Sequence, residues 1–204
     1  MSLQFRETRL DNGLTIVAVE HDEAHTAATG FFVRTGSRDE HAGIMGVSHF
    51  LEHMMFKGTD RRSAEQVNAE FDDIGANYNA STSQEITCYW AHVLPEYLPR
   101  AIDLLSDILR PALRDEDFEM ERNVILEEIG MYDDQPFFVG YEHAMEQFFD
   151  THRLGFRILG TQKTITDLKR EQMLAYFEQR YAADNIIVAL SGKIDFDACV
   201  DQIQ

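Results

Sequence analysis

Residues 49–53 read His-Phe-Leu-Glu-His, near the middle of a stretch, Ile44 to Phe56, whose apolar residues recur at helical spacing. Two imidazoles and a carboxylate at the centre of an otherwise apolar helix cannot be packed into a core without polar partners. The fold must therefore bring a second polar-bearing element against this helix. His49 and His53 are four positions apart, so both rings project from one face and can chelate a single ion. Glu52 sits about 100° round from His53 and can reach the same point without displacing either ring. The order is HxxEH, the reverse of HExxH.

Zinc suits this donor set, because imidazole binds it well and an open site uses three protein ligands with one position left for water. A further ligand has to come from another helix. The segment 115–129, Asp-Glu-Asp-Phe-Glu-Met-Glu-Arg-Asn-Val-Ile-Leu-Glu-Glu-Ile, offers several carboxylates. Glu121 and Glu128 are seven positions apart and share a face with Ile125 between them. Glu127 is rotated about 100° from Glu128, so only one of that adjacent pair can point along the face of Glu121. The plainer alternative for any of these acids is a solvated partner for Lys or Arg.

Around these helices the chain begins with strand patterns. Phe5 to Leu10 and Leu14 to Val19 flank Asp11-Asn12-Gly13, a hairpin turn signal, and a third run spans Thr26 to Arg34. An antiparallel sheet of at least these strands is expected. The helix Ile44 to Phe56 should stop at Gly58, and a second should run from a Ser63 cap, with Gln66 completing a capping box, to Ile74. Asn77 to Ser83 and Ile86 to Val93 read as strands. Helices are expected over Glu96 to Leu109, Asp115 to Met131, Phe137 to Phe149 and Asp167 to Tyr181, followed by a strand from Asn185 to Leu190. Strands first, helices next and a last strand imply an α+β fold, a largely antiparallel sheet with helices packed on one face. Asp195-Phe196-Asp197 reads as a helix start with no closing signal before Gln204, which suggests a single domain, 1–204, cut from a longer chain.

Composition narrows the partners. With 36 Asp and Glu against 18 Lys and Arg, the formal net charge is -18, which makes nucleic acid a poor partner and favours cationic ligands. Solubility is the plainer consequence of the same charge. Cys88 and Cys199 form no CxxC or disulfide framework. No apolar run is long enough for a membrane span, and no signal or transit pattern opens the chain, so a soluble, cytoplasmic protein is the expectation.

Four stretches taken in order carry a family resemblance: 36–40 (Gly-Ser-Arg-Asp-Glu), 46–59 (Gly-Val-Ser-His-Phe-Leu-Glu-His-Met-Met-Phe-Lys-Gly-Thr), 75–85 (Gly-Ala-Asn-Tyr-Asn-Ala-Ser-Thr-Ser-Gln-Glu) and 121–128 (Glu-Arg-Asn-Val-Ile-Leu-Glu-Glu). Together they resemble the pitrilysin family of zinc peptidases, most closely its mitochondrial processing peptidase β-subunit branch. The resemblance implies that the chain is the N-terminal part of a clamshell-type peptidase whose opposite half, in the same polypeptide or in a partner subunit, closes the cleft. It implies that Glu128 is the third zinc ligand beside His49 and His53, and that Glu121 is a non-ligating carboxylate near the metal. Glu52 is then the general base in metal-assisted peptide hydrolysis. It further implies that Asn79, Ala80, Ser81 and Thr82 form an edge strand to which an extended peptide, expected to be basic, adds as another strand. The family often has an aromatic where Ser81 stands, so the local side-chain preference differs here. The rival expectation is a non-catalytic subunit that keeps the fold, although such subunits usually lose part of HxxEH.

Overall fold

The computed structural model describes residues 3–204. The first hairpin pairs β1 (Gln4–Arg9) with β2 (Thr15–Glu20). Its turn is closed by Gly13 N–H donating to Leu10 O at 2.9 Å, with Leu14 N–H donating to Asn12 Oδ1 at 3.0 Å. β3 (Ala27–Val33) follows, then α1 (Val47–Met55) and α2 (Ala64–Asp73). Ser63 caps α2 and Gln66 returns the bond to Ser63 N–H at 2.8 Å, the capping box expected there. A second hairpin joins β4 (Asn77–Thr82) to β5 (Thr87–Val93). The rest is α3 (Leu98–Ile108), α4 (Asp115–Asp133), α5 (Pro136–Phe149), α6 (Gln162–Asp167), α7 (Arg170–Arg180), β6 (Ile186–Gly192) and α8 (Phe196–Ile203).

One sheet holds all six strands in the order β1-β2-β6-β3-β5-β4. Four of its five pairings are antiparallel and one, β2 with β6, is parallel, so the sheet is mixed but largely antiparallel. β6 comes from the far end of the chain and slots between β2 and β3, which therefore do not touch as neighbours. Its sequence suits that place. Ile186, Val188 and Leu190 face the helices and are buried, while Ile187 and Ala189 on the other face are also apolar, as a central strand flanked on both sides requires.

Burial alternates along β2, β3, β5 and β6, and the inward residues, among them Ile16, Phe31, Tyr89 and Val188, meet one layer of helices. α3 lies against β3 and β5, and α8 against β2. The opposite face carries Phe5, Val17, Phe32 and Trp90, none of them fully buried. α1 and α4 are joined by Phe50 stacked on Phe118, with ring centroids 4.7 Å apart and planes 5° from parallel. Both rings are buried, and this contact sets the distance between the two helices that carry the His and Glu residues.

The helix expected over Asp167 to Tyr181 is α7, which starts three residues later than expected, and a short helix, α6, precedes it. α6 starts from a Thr161 cap, and the chain then turns extended at Leu168 (ψ 135°) before α7 begins. Leu168 is buried, so tertiary packing draws it out of the helical path. Lys169 N–H then donates to Gln172 Oε1 at 2.9 Å and opens the new helix.

Candidate metal centre

α1 begins at Val47, three residues later than its apolar periodicity suggests, because Gly46 has φ +95°. A side chain at Gly46 would put its Cβ 2.5 Å from Leu159 O, so both the left-handed backbone and the close approach require glycine. The helix's first donors are met from outside. Gly46 N–H donates to Glu40 Oε2 at 2.7 Å and Ser48 N–H to Glu40 Oε1 at 2.8 Å. Glu40 is wholly buried, and that burial pushes its carboxyl up to about 8 against the pull of the two backbone donors. The Tyr176 hydroxyl, on α7, bonds Ser48 Oγ at 2.7 Å and Thr35 Oγ1 at 2.8 Å, so the start of α1 is tied to α7 and to the end of β3.

One turn on, His49 and His53 present Nε2 atoms 3.3 Å apart. Glu128 Oε2, from α4, lies 3.7 Å from His49 Nε2 and 3.6 Å from His53 Nε2. These three residues offer ligand atoms within 4.8 Å of one another, and Glu128 Oε2 is buried without a hydrogen-bond partner. An ion bonded at about 2.0–2.1 Å in tetrahedral geometry separates its ligands by about 3.3 Å, so the triangle of donors is close to the size zinc needs. Three protein donors, two nitrogen and one carboxylate, leave a fourth position open. Glu127, next along α4, is exposed, and Glu121 faces inward with Ile125.

Glu121 stands behind the ring of His53. His53 Nδ1–H donates to Glu121 Oε1 at 2.8 Å, and Lys57 Nζ lies 2.5 Å from Glu121 Oε2. Burial alone would lower His53, but the bond and charge of Glu121, with the charges of Glu128 and Glu52, leave it above its ordinary value. Burial and the neighbouring His53 take His49 down to about 3, so its ring is neutral and able to ligate. Glu121 is buried yet sits below the usual carboxylate range because His53 and Lys57 both hold its charge. Burial raises Glu128, with the charge of His53 opposing it and that of Glu121 adding to it.

Glu52 projects beside this triangle and its Oε2 accepts from Thr82 Oγ1 at 2.5 Å. Burial raises Glu52 above its ordinary value despite that bond. Thr82 reaches it because even-numbered residues of β4, paired with Thr87 and Tyr89 of β5, face the helices. β4 is an edge strand. Ser81 and Thr82 border the cavity containing His49, Glu52 and Glu128, whereas Asn79 and Ala80 lie further along the edge, outside it.

The chain matches the sequence profile of the Insulinase (Peptidase family M16) over residues 16–162. It belongs to the M16 peptidase family. An uncharacterized zinc protease of Mycobacterium tuberculosis is 38% identical to it over 196 residues, which cover 96% of this chain and 45% of that protein. Among solved structures, a protease from Helicobacter pylori superposes with a TM-score of 0.95 at 24% identity, covering 98% of this chain and 49% of that one. Pitrilysin itself superposes with a TM-score of 0.88 at 23% identity, over 99% of this chain and 22% of its own. The M16 fold is thus present here, and the chain spans about half the length of the bacterial relatives it matches.

Several parts of this M16 site carry no signal of their own in the sequence. Lys57 follows His53 by one helical step, which is the one local hint that it could share the face of Glu121. Glu40, Tyr176 and Thr35 meet only through the tertiary fold, as do Glu142 and Arg157 on the far wall of the cavity.

Proposed function

We propose that the chain is the zinc-binding catalytic domain of an endopeptidase, with His49, His53 and Glu128 as the metal ligands and Glu52 as the general base. The observation that carries this reading is the trio of ligand atoms around Glu128 Oε2, an otherwise partnerless buried carboxylate oxygen. A zinc ion held there supplies Lewis acidity to a peptide carbonyl and brings a bound water towards neutral pKa. Glu52 takes the proton from the attacking water and later returns it to the leaving amine, and its raised pKa makes it the stronger base for the first of these transfers. Thr82 holds Glu52 by one oxygen and leaves the other free for the water. Glu121 orients His53, and Lys57 keeps Glu121 ionised. The free edge of β4 supports the pairing of an extended peptide as a further strand, with Asn79, Ala80, Ser81 and Thr82 as its backbone partners.

The test is elemental analysis of the purified chain after mild dialysis. About one zinc per chain is expected. Protein that is metal-free and takes up no added zinc would remove the basis for the proposal. Peptide turnover is best measured on the longer polypeptide as well, because the chain spans 45% of the Mycobacterium tuberculosis relative and the cleft in the proposed enzyme is closed by the remainder.

A further inference from the structure

The turn 83–86 that joins β4 to β5 is held from outside by the segment that precedes α1. Ser37 N–H donates to Ser83 O at 3.2 Å and Arg38 N–H to Gln84 O at 2.9 Å. The Arg38 guanidinium also pairs with the Glu85 carboxylate. Gly36 makes this seat possible. Its backbone is extended (φ -170°), so conformation does not demand glycine there, but a Cβ would lie 2.3 Å from Ser83 O and 2.7 Å from Gln84 O. Any side chain at this position would push the turn away.

Two residues beyond Arg38, Glu40 accepts from Gly46 N–H and Ser48 N–H at the start of α1. The Tyr176 hydroxyl backs both ends of the segment, since it donates to Gly36 O at 3.4 Å and bonds Ser48 Oγ at 2.7 Å. Residues 36–40 thus span from the helix that carries Glu52 to the strand end that carries Thr82.

Thr82 Oγ1 donates to Glu52 Oε2 at 2.5 Å. Its backbone faces elsewhere. Ser83 N–H donates to Ile86 O at 2.9 Å, and backbone bonding alternates along an antiparallel pair, so Thr82 and its partner Thr87 exchange no backbone bonds. The N–H and C=O of Thr82 therefore point to the free edge of β4, where the peptide strand of the proposed enzyme adds. One residue bonds the base through its side chain and meets the peptide through its backbone. Displacing the turn moves base and peptide relative to each other, and a misplacement of about 1 Å can cost about 100-fold in rate.

We propose that Gly36 is a positioning residue for the general base: by leaving room for Ser83 O and Gln84 O, it seats the turn where Thr82 meets Glu52. The inference rests on the peptidase reading above. It separates turnover from metal binding, because the backbone donors of Ser37 and Arg38 go to the turn and not to His49, His53 or Glu128.

The test uses the complete polypeptide and one quenched fluorescent peptide, chosen from a random library because the unaltered protein cleaves it. Zinc content is measured first. Unaltered protein that takes up no zinc, or cleaves nothing in the library, overturns this inference together with the reading beneath it, whereas every result below concerns the turn alone. Gly36→Ala should hold zinc within about twofold of the original affinity, since no ligand is touched. Its kcat should fall about tenfold. KM should stay within about threefold, because β4 remains paired with β5 along its length. The decisive measurement repeats the substitution in Thr82→Val, which itself lowers kcat by removing the bond to Glu52. There, adding Gly36→Ala should change kcat by less than about twofold. Ser83→Ala moves the turn by another route, since Ser83 Oγ accepts from Ile86 N–H at 3.1 Å, and it should show the same loss with the same dependence on Thr82. It decides the matter if Gly36→Ala fails to fold. Losses that multiply in the double variants would overturn the proposal, because turn and hydroxyl would then act independently. So would full kcat in Thr82→Val or in a folded turn variant, or a zinc affinity that falls in step with kcat.

Discussion

His53 donates its Nδ1–H to Glu121 at 2.8 Å, and this bond leaves the Nε2 lone pair of the same ring directed at Glu128 Oε2, 3.6 Å away. A carboxylate behind a ligating imidazole selects the tautomer, holds the ring plane and raises its basicity. Glu121 can do so because it is buried and its own charge is held by Lys57. Glu121→Gln should therefore weaken zinc binding by about 10–100-fold without removing a ligand. Competition against a chromophoric chelator measures this, and unchanged affinity would show that the ring is held by packing alone.

The adjacent acids of α4 give a sharper contrast. Glu128 faces the imidazoles and Glu127 faces solvent. Glu128→Gln should abolish tight zinc binding, while Glu127→Gln should leave it within about twofold of the original. The same chelator competition reads both, and equal losses would mean that α4 is rotated from the orientation described.

Much of this arrangement is legible in the residues themselves. The HxxEH spacing, the seven-residue step from Glu121 to Glu128, the Asn12-Gly13 hairpin and the Ser63–Gln66 capping box are local patterns, and local geometry follows from them. Insertion of β6 between β2 and β3 is not local: its two apolar faces mark it as central, but nothing in its sequence says between which strands. The break at Leu168 is invisible for a similar reason, since it comes from burial against distant residues. Of the candidate site, His49, Glu52, His53, Glu121 and Glu128 lie on periodic helices and can be read. Glu40, Tyr176 and Lys57 act through contacts that only the folded chain creates.

Phe50 and Phe118 join the two helices that bear the site. Phe118→Ala should cost about 3–5 kcal/mol of folding stability, the usual range for emptying a buried aromatic position. It should also weaken zinc binding, because α4 loses its fixed distance from α1. Denaturant unfolding of the zinc-free protein and chelator competition measure the two effects. A stability loss with full zinc affinity would show that the metal ligands do not depend on this stacking.

Glu40 offers a pH-dependent test. Its folded value of about 8 lies above its ordinary 4.5, so the folded state binds this proton more tightly than the unfolded state does. Its contribution to stability is therefore fully present below about 4.5 and is lost as pH rises through about 8. Glu40→Gln removes this titration and sets an amide NH2 against one of the two backbone donors, at a cost of about 1–3 kcal/mol. The variant should have a lower Tm and a flatter dependence of Tm on pH across that window. An unchanged slope would indicate that Glu40 is already ionised throughout.

Glu52 is the residue on which turnover should depend most. It approaches the ligand triangle without joining it, and Thr82 fixes one of its oxygens. Glu52→Gln preserves size and the bond from Thr82 but cannot accept a proton from water. Zinc content should stay near that of the unaltered protein, and kcat of the complete enzyme should fall by at least about 10²–10⁴-fold. The pH profile of the unaltered enzyme carries the same argument. With the charged carboxylate as the proposed base, and with burial raising its pKa above the ordinary 4.5, kcat/KM should fall as pH drops through a value higher than that. The acid limb should move down in Thr82→Val only if the hydroxyl bond were raising the pKa; since that bond lowers it, the limb should move up. Loss of zinc in Glu52→Gln would make Glu52 a ligand instead of a base. Undiminished turnover would remove it from the mechanism and leave the water to be activated by some other group.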